Sequence, residues 1–227
     1  MLFSPFRVSF GYGTRGLTFN IGMLLLVGFL TYLPAAAVKA ETRILALGDS
    51  LTAGYGLPKT ESFTYVLEQE LRASGYDVRV LNAGVSGDTS AGGLSRLDWA
   101  LSELDGASQT GVILELGAND GLRGFNPRIT EDNLRQIITR IQEMGHPVLF
   151  TGMYALPNFG KAYGEAFNGL FPKLAEEMDV IFYPFFLEGV AAIPELNQDD
   201  AIHPNAKGTR VIVRNILPYV KRLLDSP

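Results

Sequence analysis

A chain of 227 residues with 47% hydrophobic content is long enough to bury one well-cored domain. Its formal charge of −5, with no basic stripe, argues against a nucleic-acid partner. Cysteine is absent, which excludes disulfides, thiolate catalysis and cysteine-based metal sites.

The first 40 residues differ from the rest. Arg7 and Arg15 precede an apolar run over 21–33, and Pro34, three alanines and Val38-Lys39-Ala40 follow it. A positive region, an apolar core of roughly 13 residues and a small-residue site make a secretory signal peptide, with cleavage expected after Ala40. The competing reading is a retained membrane anchor, which reaches a length of about 18 residues only by including Pro34 and two glycines. Cleavage leaves a single domain over 41–227 with a net charge of −8, secreted and expected in the periplasm.

Within that domain, Ile44-Leu45-Ala46-Leu47 closed by Gly48-Asp49-Ser50 predicts a buried strand that ends on a hydroxyl. Chemistry in an open α/β sheet gathers at the carboxyl ends of the strands, so Ser50 stands where a nucleophile is expected; helix capping is the alternative for a serine there. A helix opens at Thr60 or Glu61, carries Phe63, Val66, Leu67 and Leu71 on one face, and ends near Gly75. A strand over 77–81 leads into a loop over 82–90, and Thr89 or Ser90 caps a helix carrying Leu94, Leu97, Trp99 and Leu101. The strand over 111–116 is apolar except for Glu115. A helix over 130–144, a strand over 147–151, a helix over 163–178, a short strand over 180–183 and a last helix over 204–224 complete the pass. Strands alternate with helices at nearly every step, which predicts a parallel sheet covered on both faces. Right-handed crossovers then bring Gly48-Asp49-Ser50, Val85-Ser86-Gly87-Asp88 and Gly117-Ala118-Asn119-Asp120 to one edge.

A serine nucleophile needs a base, and the chain has two histidines. His146 lies just before a strand and belongs at the opposite edge of the sheet. His203, in Asp199-Asp200-Ala201-Ile202-His203-Pro204-Asn205, precedes the final helix, and Pro204 suits the first helical position. An acid three residues ahead, Asp200, can fold back onto Nδ1 and leave Nε2 for the serine, while Asp199 points elsewhere. Candidate donors for an oxyanion are the N–H of Ser50, the N–H of Gly87 and the Asn119 amide, each such donor being worth about 3 kcal/mol. Gly87 as a tight-turn residue and Asn119 as a helix cap remain the alternatives.

Gly48-Asp49-Ser50-Leu51, Ser86-Gly87-Asp88, Gly117-Ala118-Asn119-Asp120 and Asp200-Ala201-Ile202-His203 resemble, in order and spacing, the four blocks of the SGNH or GDSL hydrolases. The resemblance covers essentially all of the chain after the leader. The stretches over 86–90 and 115–125 look like the subgroup of secreted bacterial acyl-CoA thioesterases, also described as lysophospholipases and arylesterases. It implies Ser50 as nucleophile, His203 as base, Asp200 as its orienting acid, and Ser50, Gly87 and Asn119 as the oxyanion hole. The fold it implies is a flavodoxin-like α/β/α three-layer sandwich with a central parallel sheet of about five strands. No cofactor and no metal are implied.

Tyr154-Ala155-Leu156-Pro157-Asn158-Phe159-Gly160 matches in position a loop that contacts the acyl chain in the related thioesterases, so Leu156, Pro157 and Phe159 are candidate substrate-binding residues, with Phe185 and Phe186 nearby. Packing under a loop is the other reading of the phenylalanines. The expected activity is hydrolysis of acyl esters and thioesters by a monomer that makes transient contact with lipid or a membrane surface. Lysophospholipids are favoured over acyl-CoA outside the cytoplasm. A carbohydrate O-acetyl esterase and a non-catalytic lipid-binding module are the alternatives.

Overall fold

The computed structural model describes residues 41–226, so the predicted signal peptide lies outside the described residues. Strand β1 (Thr42–Gly48) leads through the single helical turn α1 (Ser50–Ala53) and helix α2 (Phe63–Ala73) to β2 (Val78–Gly84). Two short helices, α3 (Ser90–Ser95) and α4 (Leu97–Leu101), connect to β3 (Gln109–Glu115). The turn α5 (Ala118–Leu122) and helix α6 (Pro127–Glu143) lead to β4 (Val148–Thr151), and α7 (Lys161–Glu177) to β5 (Ile181–Tyr183). Helix α8 (Ala206–Leu224) closes the chain.

All strand pairs are parallel and the sheet order is β2-β1-β3-β4-β5. The chain therefore steps outward from β1 in one direction to β2 and in the other from β3 to β5. Because both steps use right-handed crossovers, their helices fall on opposite faces. Helices α2 and α8 pack together on one side, and α3, α6 and α7 form a row on the other, which is the expected α/β/α three-layer sandwich. Ile44, Leu45, Ala46 and Leu47 of β1 and Val112, Ile113 and Leu114 of β3 are buried on both faces, as continuous apolar runs in a parallel sheet require. Leu67 and Leu71 of α2, Leu134, Ile137, Ile138 and Ile141 of α6, and Ile212, Ile216 and Val220 of α8 supply the facing stripes. Each such buried side chain stabilises the fold by about 1.5–3 kcal/mol relative to exposure.

The ends of several elements differ from expectation. Helix α6 starts at Pro127 because the Asn126 side chain accepts the Arg128 N–H, placing proline at the first helical position. Helix α8 starts at Ala206 rather than Pro204, because the Asn205 side chain accepts the N–H groups of Lys207 and Gly208. Pro204 instead pairs with Asn197 in an isolated antiparallel bridge. The single helix predicted after Thr89 is broken at Arg96. Arg96 donates to Asp88 Oδ2 (2.7 Å) and to the Gly48 carbonyl (3.0 Å), and the break leaves Trp99 68% exposed.

Candidate active site

In the sheet order found here the chain reverses direction between β1 and β3, and a crevice opens at their carboxyl ends. Ser50 follows β1 directly as the first residue of α1. The carboxylate of Asp49 caps this turn by accepting the Leu51 N–H at 2.9 Å. Gly48 has no room for a side chain, since a Cβ there would fall 2.1 Å from Thr52 Oγ1 and 2.5 Å from Glu115 Oε2. The close fit holds the serine at a fixed height above the sheet.

His203 reaches Ser50 from the loop before α8. Its Nε2 lies 3.0 Å from Ser50 Oγ and its Nδ1 lies 2.6 Å from Asp200 Oδ2. The other oxygen of Asp200 accepts the N–H groups of Ile202 and His203, each at 3.0 Å, so one side chain both folds the turn and orients the ring. These bonds from the His203 backbone and imidazole hold the Asp200 carboxyl down at about 2, so it stays ionised at neutral pH. With Nδ1–H donated to this carboxylate, Nε2 is free to accept a proton from the serine. The loop is braced from below: Gln198 N–H donates to the His203 carbonyl (2.8 Å), and the Gln198 amide donates to the carbonyls of Tyr55 and Pro204. The Tyr55 ring lies against the imidazole, with centroids 4.6 Å apart. His146 is far from this site, at the amino-terminal end of β4, where its Nδ1 lies 2.7 Å from Thr110 Oγ1.

Gly87 and Asn119 line the same cavity as Ser50 and His203. Among the described residues, the N–H groups of Ser50 and Gly87 donate to no other group. Gly87 has φ +81°, a backbone conformation that disfavours any side chain, and its carbonyl accepts from the Arg123 guanidinium at 2.9 Å. Asn119 is the second residue of α5 and its amide donates to Asp49 Oδ2 at 2.9 Å. Five of the predicted site residues, Ser50, Gly87, Asn119, Asp200 and His203, are thus brought together from four separate segments.

The cavity has a volume of about 670 Å³ and a largely apolar wall, built from Leu122, Tyr154, Leu156, Phe185, Leu187 and Ile202. Of the expected substrate-binding residues, Leu156 lines it, and Pro157 and Phe159 do not. The short 3-10 turn Pro157–Phe159 carries both away from the cavity, and Phe159 packs against Tyr163 with centroids 5.2 Å apart. Phe185 lines the wall and stacks on Tyr154. Phe186 is fully buried, edge-on to Phe63. Sequence reasoning missed Leu122, Leu187 and Ile202, which lie on three different loops or turns and share no periodicity.

It also missed the layer beneath the serine. Glu115, at the end of β3, is fully buried, and its Oε2 accepts the Asp49 N–H (3.3 Å) and the Thr52 hydroxyl (2.7 Å). Burial, and then the charge of Asp49, push its carboxyl well above the usual carboxylate range. Burial also lifts Asp49, against the bonds from Leu51 and Asn119, to about 6. A lone acid in the otherwise apolar run over 111–116 was the one available signal for this layer. Among the described residues no group of three or more His, Asp or Glu side chains could hold a metal ion, and no helix is long and apolar enough to cross a membrane.

Residues 46–211 match the GDSL-like lipase/acylhydrolase family. The chain is 44% identical over 170 residues to an arylesterase of Vibrio mimicus, covering 75% of this chain and 84% of that protein. It is 42% identical over 177 residues to thioesterase 1/protease 1/lysophospholipase L1 of Escherichia coli, covering 78% and 82% respectively. The crystal structure of TesA superposes with a TM-score of 0.75 at 39% identity, over 80% of this chain and 99% of that one.

Proposed function

The chain belongs to the GDSL-like lipase/acylhydrolase family and is an ester-hydrolysing enzyme, and from that premise we propose that Ser50, His203 and Asp200 form its catalytic triad. The observation that carries this reading is the unbroken chain of short contacts from Ser50 Oγ through the imidazole to Asp200. In the first half-reaction His203 Nε2 takes the proton of Ser50 while Oγ attacks the acyl carbonyl. The resulting oxyanion is met by the N–H groups of Ser50 and Gly87 and the amide of Asn119. Collapse returns the proton to the departing alcohol or thiol and leaves an acyl-serine. Water, deprotonated by the same imidazole, then releases the acid. Asp200 stays ionised throughout and stabilises the imidazolium.

The apolar wall argues for medium or long acyl chains, since each methylene transferred from water to such a surface contributes up to about 0.8 kcal/mol. The reading therefore extends to lysophospholipids and acyl thioesters as substrates, hydrolysed by a monomer that meets them at a lipid surface. It also includes removal of residues 1–40 after Ala40 and work outside the cytoplasm, where acyl-CoA is scarce. Initial rates on p-nitrophenyl acetate, octanoate and palmitate test it, with Ser50→Ala alongside. The expected result is a kcat/KM that rises from acetate to octanoate and falls at least about 10³-fold in the mutant. Turnover confined to acetate would point to a short-acyl esterase instead, and serine-independent turnover would remove the triad.

A further inference from the structure

Asp49 is 1% exposed, adjacent to the nucleophile, and has both carboxylate oxygens engaged: Oδ1 with the Leu51 N–H, Oδ2 with the Asn119 amide. Capping a turn does not call for a charge, because asparagine and serine cap as well as aspartate and are cheaper to bury. The second contact does. A carboxylate is an acceptor only, whereas the two ends of an asparagine amide are nearly the same shape and opposite in hydrogen-bonding character. With Asp49 ionised, the nitrogen of Asn119 must face it, and one N–H is used there while the other remains for the cavity. The flipped amide would set oxygen against oxygen and carry both donors away.

We infer that Asp49 is a positioning residue, whose carboxylate fixes the Asn119 amide in the orientation that presents an N–H to the oxyanion. The inference rests on the oxyanion-hole role proposed above for Asn119. Glu115 supports it from below: its Oε2 anchors the Asp49 N–H, and burial disfavours a second charge at Glu115 next to Asp49. The other ionisable groups that act on Asp49 are His203, which favours its charged form, and Asp88 in the Gly87 loop, which opposes it and is itself paired with Arg96. Protonated Asp49 can donate to the oxygen of Asn119 and so permits the flip. Acidification therefore removes an oxyanion donor.

A double-mutant cycle on p-nitrophenyl octanoate reads this directly, with kcat and KM measured for the wild type, Asp49→Asn, Asn119→Ala and the double variant. Asp49→Asn is expected to lower kcat about 10²-fold with KM within about twofold, and to add less than about threefold when Asn119 is already alanine. Equal losses in the two backgrounds, or a change confined to KM, would overturn the inference while leaving Asn119 in the oxyanion hole. An Asn119→Ala enzyme with wild-type kcat would instead remove the role of Asn119, and the inference with it. Should Asp49→Asn not fold, the acid limb of kcat/KM decides. Its slope is expected to be steeper in the wild type than in Asn119→Ala, and the same slope in both would overturn the inference.

Discussion

Glu115 illustrates what a single buried acid does here and what charge state it needs. Its Oε2 serves the Asp49 N–H and the Thr52 hydroxyl, and burial pushes the carboxyl well above the usual carboxylate range. Glutamine reproduces the accepting oxygen without the ionisable proton, so Glu115→Gln is expected to keep kcat within about twofold and to lose less stability than the wild type between pH 4.5 and 7. Alanine leaves a cavity and two buried donors without an acceptor, at a cost of about 2–4 kcal/mol in denaturant unfolding, with a fall in kcat as the Asp49–Ser50 turn loosens. Equal damage from both substitutions would show that the ionised form is the working one. The acid was visible in the sequence as the one polar residue of the apolar run over 111–116, but its partners lie over 60 positions away, and no local pattern connects them.

The elements that carry the site are placed by their caps, and Asn205 is the clearest case. Its side-chain oxygen accepts the Lys207 and Gly208 N–H groups at the start of α8, and its NH2 donates to the carbonyls of Glu195 and Asn197. Helix start and histidine loop are therefore held by the same residue, two positions after His203. Asn205→Ala is expected to cost about 1–2 kcal/mol of stability and to lower kcat. Asn205→Asp keeps the cap but loses the two donors, so it should recover much of the stability and little of the rate. Thermal unfolding alongside kcat for the two variants checks this, and full recovery of rate in the aspartate variant would show that the loop does not depend on those donors. Existence and order of the elements were legible because hydrophobic periodicity is local. Their ends were less so: Pro204 satisfies the rule for a first helical position, yet Asn205 supplies a better cap, and the carbonyls that select it lie on a loop about ten residues upstream.

At the scale of the whole molecule, alternating strands and helices made a parallel sheet legible, and the three polar clusters after β1, β2 and β3 do meet at one edge. The cavity wall was not, because Leu122, Leu187 and Ile202 reach it from parts of the chain that only the folded sheet brings near. The same folding buries two carboxyls under the nucleophile, and this sets how stability responds to pH. Asp49 titrates at about 6 when folded and near 4 when unfolded, and Glu115 is displaced in the same direction. Between those values the folded chain holds protons that the unfolded chain has released, so stability falls as pH rises, by about 2 kcal/mol for Asp49 alone between pH 4 and 6. Asp200 has the opposite sign: held at about 2, it stabilises above pH 4 and loses that contribution as pH falls through 2. It is more than a third exposed, so solvent screens its share to under about 1 kcal/mol. The buried pair therefore dominates, and the urea midpoint is expected to be higher at pH 4.5 than at pH 7, while kcat/KM changes in the opposite direction because His203 must be neutral and Asp49 ionised. Glu115→Gln removes one of the two protons concerned and should flatten the stability profile. A midpoint that rises from pH 4.5 to 7 in the wild type would mean that neither carboxyl holds its proton in the fold, and that the site is wetter than its burial indicates.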